Sequence, residues 1–161
     1  CFGGMGIAAR CANTVIMSEE GRLAMSGPEV IETANGVEEF DSRDRALVWR
    51  TTGGKHRYLM GDCQVLVADD TAAFRAAAQE AIAQLVEGEV GLTLEGLLAE
   101  QDMLARRLRD AEGASEPMEL WRRLGVPDPA LVPMLEADAF LQLAAQHRAG
   151  LQLASAPTGE R

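Results

Sequence analysis

Cys1-Phe2-Gly3-Gly4-Met5-Gly6-Ile7-Ala8-Ala9 opens the chain, and the reading of the rest depends on it. Three glycines fall within four residues, and an apolar, alanine-rich run follows. Glycine accepts backbone angles closed to other residues and lets another group come close to the main chain. A turn of this kind that opens a helix leaves the first helical N–H groups without internal partners. Those groups point outward, and the helix dipole adds partial positive charge. Such a turn can receive an anion, or an oxygen that becomes anionic during a reaction. A tight turn with close helix packing uses the same residues, so the glycines alone leave both uses open.

The chain has 161 residues, enough for one domain with a real core. Its 25 acidic residues outweigh 15 basic ones, for a formal net charge of −10. An acidic surface repels phosphate backbones, which argues against nucleic-acid binding. No stretch reaches the roughly 20 apolar residues of a membrane span, and no basic amphipathic stretch suits a membrane surface. Cys1, Cys11 and Cys63 are an odd number without metal-ligand spacing. They read as reduced thiols in a cytoplasmic protein, with Cys11 and Cys63 as small buried hydrophobes. His56 and His147 lie far apart with no carboxylate–histidine motif around either, so no metal is expected. The chain begins in the glycine turn itself, with no strand before it to hold it. The expectation is the C-terminal portion of a longer unit.

Downstream, residues 7–11 continue as a short helix. Residues 13–17, with Val15, Ile16 and Met17, read as a buried strand. Residues 18–21 turn, and residues 22–25 read as a second short strand. Gly27, Pro28 and Glu29 carry the marks of a helix start: a small cap, a proline at the first helical position, an acid in the first turn. Asn35-Gly36 signals a turn. Asp41 or Ser42 can cap a helix over residues 43–49; residues 51–55 break it, and a further short helix covers 56–60. Gly61-Asp62 turns the chain into a third strand, residues 63–67. Asp69, Asp70 and Thr71 cap a long helix to about residue 87, with Phe74, Ala77, Ala78, Ala81, Ile82 and Leu85 at helical spacing.

Composition shifts at residues 88–91, and no strand is expected beyond them. Thr93 caps a helix to about residue 111 that carries Leu94, Leu97, Leu98, Leu104 and Leu108. A short helix covers residues 118–124, Pro127-Asp128-Pro129 turns, and a last helix covers 130–148. The division expected is a core over residues 1–90, a helical part over 91–150 and a disordered tail over 151–161. The fold class is α/β, with more apolar helix surface than so small a sheet can cover.

Taken together, Gly3-Gly4, the Val15-Ile16-Met17 strand, the Glu20-Gly21 turn and Ser26-Gly27-Pro28-Glu29-Val30-Ile31-Glu32 resemble the crotonase superfamily, and within it the carboxyltransferase β subunits of acyl-CoA carboxylases. The segment from Gly36-Val37-Glu38-Glu39-Phe40-Asp41-Ser42-Arg43 to Thr51-Thr52-Gly53-Gly54-Lys55-His56-Arg57 is similar to β subunits of biotin-independent malonate decarboxylases. The likeness is close over residues 1–70, loose over 71–87 and least distinctive beyond. It implies the C-terminal half of a crotonase-like (ClpP/crotonase, carboxyltransferase) fold with a helical C-terminal part. It implies a carbon–carbon lyase that decarboxylates the malonyl thioester of an acyl-carrier protein to the acetyl thioester and CO2. The carrier's thiol belongs to a dephospho-CoA-derived prosthetic group, and the β subunit itself holds no tight cofactor and needs no biotin. The partners implied are a γ subunit, the acyl-carrier protein and an acyl-transferring α subunit. Gly3 and Gly4 match the backbone oxyanion hole.

The chemistry suits such a turn. Loss of CO2 from a malonyl thioester leaves an enolate whose charge sits largely on the thioester oxygen, and N–H donors already aimed there lower the barrier. Two other functions fit the residues: a biotin-dependent acyl-CoA carboxyltransferase β subunit, and a non-catalytic interaction subunit that docks through its helical part. His56, in the basic stretch 53–57, suits either a phosphate or carboxylate contact or a structural role. Glu29 and Glu32 suit either a base pair or the stabilisation of a helix N-terminus. Trp49 and Trp121 read as core or interface, and Arg106, Arg107 and Arg109 as a solvated face.

Overall fold

The computed structural model describes residues 1–87 and 93–148. In chain order they form α1 (Gly4–Arg10), β1 (Ile16–Ser18), α2 (Pro28–Asn35), α3 (Arg45–Thr52), α4 (Gly54–Leu59), β2 (Val65–Val67), α5 (Thr71–Glu87), α6 (Leu94–Ala111), α7 (Pro117–Arg123), a short 3-10 helix (Pro129–Met134) and α8 (Ala137–His147). The composition shift at 88–91 and the tail over 151–161 lie outside the described residues. Among the described residues no helix is long and apolar enough to cross a membrane.

Local chemistry starts the helices. The Asp70 carboxylate accepts the Ala73 N–H at 3.0 Å, and the Thr93 hydroxyl accepts the Gly96 N–H at 3.0 Å. Each satisfies a donor that the first turn would leave bare. Gly27 caps α2, with Pro28 as its first residue. The cap of α3 is Asp44, not Asp41 or Ser42: its Oδ1 accepts the N–H groups of Ala46 at 2.9 Å and Leu47 at 3.0 Å. Three residues of capping type crowd positions 41–44, and tertiary contacts choose among them. Ser42 gives its N–H to the Glu32 carboxylate at 2.8 Å, and Asp41 closes a tight turn on Arg43.

β1 and β2 run parallel, with Ile16 opposite Val65, Met17 opposite Leu66 and Ser18 opposite Val67. Parallel neighbours need a long crossover, and α2, α3 and α4 supply it. The strand expected over residues 22–25 is reduced to one antiparallel bridge between Arg22 and Gly53. Its hydrogen bonds are divided between two neighbours: Leu23 donates to the Thr52 carbonyl, Ala24 to that of Cys1. No continuous ladder forms.

A two-stranded sheet is too small to hold a fold by itself, and helices build the core around it. α5 packs on both strands, α4 and α8 flank β2, and α7 packs on α3. Trp121, Phe140, Leu59, Val132 and Cys63 are fully buried and join Met17, Leu23 and Leu66 in one cluster. Residues on both sides of position 90 therefore share a core. Burying each large apolar side chain contributes about 1.5–3 kcal/mol. Cys11, expected inside, is exposed.

The helix expected over residues 130–148 is split, because Pro133 lacks the N–H that a continuing α-helix needs. Lys55 seals the break. Its Nζ donates to the carbonyls of Pro133 at 3.3 Å and of Leu135. It also lies over the rings of Trp49 and Phe140, 5.5 and 5.8 Å from their centroids.

Candidate functional site

Gly3 caps α1 with φ 63°, in the left-handed region that favours glycine. Its N–H donates to the Met25 carbonyl at 3.0 Å, and its own carbonyl accepts the Ile7 N–H at 3.1 Å. The Cys1 carbonyl accepts from Ala24 at 3.2 Å. Residues 1–3 thus lie along residues 22–25, and this pairing holds the turn in place. Gly6 is buried, and a Cβ there would run into the Ala24 carbonyl oxygen, so this glycine serves close packing. Gly3 and Gly4 are different: a Cβ on either meets nothing within 4 Å. The Gly3 N–H is already spent on Met25. The N–H groups of Gly4 and Met5 have no acceptor among the described residues. Of the two donors named from the sequence, Gly4 is the one the turn leaves free.

A cleft of about 260 Å³ opens beside the second turn of α1. Ile7, Leu23, Ala24 and Met25 give it apolar walls, and Arg10, Arg57 and Asp62 complete its lining. Asp62 Oδ1 pairs with Arg10 at 3.0 Å and with Arg107 of α6 at 2.9 Å, while Oδ2 pairs with Arg57 at 3.0 Å. One carboxylate serves three guanidiniums, a local excess of positive charge in an acidic chain. The side chains of Arg107, Asp62 and Arg57 are mostly buried, whereas Arg10 is 38% exposed. Burial lowers the Arg107 pKa from its usual value, against the opposing pull of Asp62. The Nε atoms of Arg57 and Arg107 are buried without a partner.

Sequence reasoning missed this cluster. Arg107 belongs to the run read as a solvated face, yet it turns inward because Asp62 waits 45 residues away in the chain. No local pattern signals such a pair.

The other candidates take structural roles. His56 is buried, and its Nδ1 accepts the Trp121 indole N–H at 3.1 Å. Burial first, and the charge of Arg57 second, push its pKa down to about 3. It is therefore a neutral ring with its proton on Nε2, and it ties α4 to α7. Glu32 accepts the Ser42 N–H, which lowers its pKa, and Glu29 sits in the first turn of α2. Cys63 is buried and its thiol is pushed up to about 11 by burial. Among the described residues no three His, Cys, Asp or Glu side chains gather as metal ligands would.

No family model matches the chain. It is 37% identical over 154 residues to the malonyl-S-ACP:biotin-protein carboxyltransferase MADC of Malonomonas rubra, covering 92% of this chain and 48% of that protein. The chain thus spans about half the length of the curated relative it matches. A chain in the crystal structure of a Pseudomonas malonate decarboxylase hetero-tetramer in complex with malonate superposes with a TM-score of 0.63 at 34% identity, covering 76% of this chain and 43% of that one. Both likenesses point the same way: the chain is related to a malonyl-S-ACP:biotin-protein carboxyltransferase and to a chain of a malonate decarboxylase.

Proposed function

We propose that this chain acts within a malonate decarboxylase as part of the β subunit, and that the α1 turn stabilises the enolate formed when a malonyl thioester loses CO2. The observation that carries the reading is the open glycine turn, where the Gly4 and Met5 N–H groups have no acceptor among the described residues. The thioester carbonyl provides the electron sink. As the carbon–carbon bond breaks, negative charge moves to the thioester oxygen, and Gly4 N–H, seconded by Met5 N–H, meets it without having to reorganise. The cleft beside the second turn of α1 offers an apolar wall of Ile7, Leu23, Ala24 and Met25 to the acyl group. On this reading the fold is the C-terminal half of a crotonase-like unit whose helical C-terminal part packs into the same core. The complex is cytoplasmic, with γ, acyl-carrier and acyl-transferring α subunits. The step needs neither biotin nor a tightly bound metal. Support for an assembly comes from the Pseudomonas neighbour, a hetero-tetramer, and from the leucines exposed along α6.

A second reading has a specific observation behind it. The Malonomonas relative is named for carboxyl transfer from malonyl-S-ACP to a biotin protein. The same enolate forms, and the carboxyl goes to biotin.

The test is CO2 release from malonyl thioester by the full-length assembled protein carrying Gly4→Val. A β-branched side chain fills the open space before the turn. Turnover is expected to fall about 10²–10³-fold with an unchanged elution profile. Near-normal turnover would remove the turn from the active site. Release that continues with avidin and with EDTA supports the first reading. Release that stops with avidin supports transfer to biotin, and release that stops with EDTA defeats the metal-free step.

A further inference from the structure

The basic side of the cleft deepens the thioester reading and rests on it. We infer that Arg10 and Arg57 seat the carboxylate of the acyl group, so that a short acyl chain ending in a carboxylate enters between α1 and residues 23–25. Ile7, Leu23 and Met25 offer the apolar surface that a methylene stem needs, and the guanidiniums lie in the same cleft. Three guanidiniums converge on the Asp62 carboxylate through pairs of 2.9–3.0 Å, and each has one further acceptor: the Asp62 carbonyl for Arg10, the Thr51 carbonyl at 3.1 Å for Arg57 and Met103 Sδ at 2.9 Å for Arg107. One carboxylate paired with three cations leaves positive charge unbalanced in the cluster, and the planar fork of the more exposed Arg10 suits a second carboxylate. The cleft, at about 260 Å³, has room for a group of malonyl size, given that one water takes about 30 Å³. Arg107 is the most buried of the three and braces Asp62 from α6.

Asp62 sets how hard the seat grips. A strong ion pair would hold the substrate carboxylate in its ground state and oppose loss of CO2. Because Asp62 already draws on the same guanidiniums, the incoming carboxylate is oriented without being fully neutralised. A cluster that only staples α1, α4 and α6 together makes a different prediction. In a staple, removing the Asp62 charge loosens the fold and leaves anion binding unaffected. In a carboxylate seat, it frees donors and tightens binding.

The measurement is calorimetric titration of malonate into the full-length assembled protein, wild type against Arg10→Gln and Asp62→Asn. Arg10→Gln is expected to weaken malonate binding about tenfold or more, the loss of one charge-assisted contact. Asp62→Asn is expected to tighten it several-fold. Inorganic phosphate is titrated as a competitor and is expected to displace malonate poorly. Unchanged malonate affinity in Arg10→Gln overturns the inference, and so does phosphate that binds as tightly as malonate and is lost in the same variant. If Asp62→Asn fails to fold, the half-exposed Arg10 still decides. Binding is read without turnover: a Gly4→Val protein that keeps its malonate affinity but releases no CO2 separates this seat from the oxyanion turn.

Discussion

Two pairs of helices carry the same apolar periodicity and meet opposite fates. In α7 and α8, Trp121, Phe140 and Ala144 are wholly buried against the sheet and α4. In α5 and α6, Ile82, Val86, Leu97, Leu98 and Leu108 are 49–80% exposed, and α6 buries no residue at all. Helical spacing of leucines thus states that a face seeks a partner, without saying where the partner is. α7 and α8 find theirs inside the chain, since large aromatic side chains reach a small sheet from a distance. The stripe on α6 finds none among the described residues, and a contiguous apolar stripe marks an interaction surface.

The sharpest way to break this contrast is to empty the buried side. Trp121→Ala is expected to cost about 3–5 kcal/mol of stability by urea unfolding; a cost below about 1 kcal/mol, the size of an ordinary surface change, would place Trp121 outside the core. The same indole gives a smaller, pH-dependent effect through its partner. His56 is held neutral in the fold, with its pKa lowered to about 3, and regains an ordinary value of 6.5 when unfolded. The unfolded chain therefore binds more protons between those values, and stability falls as pH drops through 6.5 toward 3. From pH 7 to 5 the loss is expected to be about 2 kcal/mol. His56→Gln should flatten that slope, and an unchanged slope would assign it to other groups. The smallest effect belongs to the exposed side. Leu97→Ser with Leu98→Ser is expected to change stability by no more than about 0.5 kcal/mol, while gel filtration shows the assembly shifting to smaller species. A core-sized loss of stability would put α6 inside after all.

What could be read from sequence divides along the same line between local and distant. The starts of α2, α5 and α6 were legible because Gly27-Pro28, Asp70 and Thr93 act within three or four residues of themselves. The cap of α3 was not, since Asp41, Ser42 and Asp44 all have capping chemistry and only Ser42's bond to Glu32 and Asp41's to Arg43 separate them. The strand over residues 22–25 dissolved because its partners, Cys1 and Thr52, come from two different places. At the candidate site, the sequence pointed to the turn, while the use of Gly3's N–H by Met25 and the gathering of Arg10, Arg57 and Arg107 on Asp62 depend on contacts that only the fold creates.

Lys55 has a consequence for how the chain is made. Its ammonium lies 3.6 Å from the Glu19 carboxylate, and the carbonyls that complete its enclosure come 78 and 80 residues further along. During synthesis the amino-terminal part leaves the ribosome with this cation still in water, and its proper enclosure does not exist until residue 135 has emerged. The surroundings of Lys55 cannot reach their final arrangement before that point. Closure of this one contact therefore comes late, after residues 133–135 are available to make it.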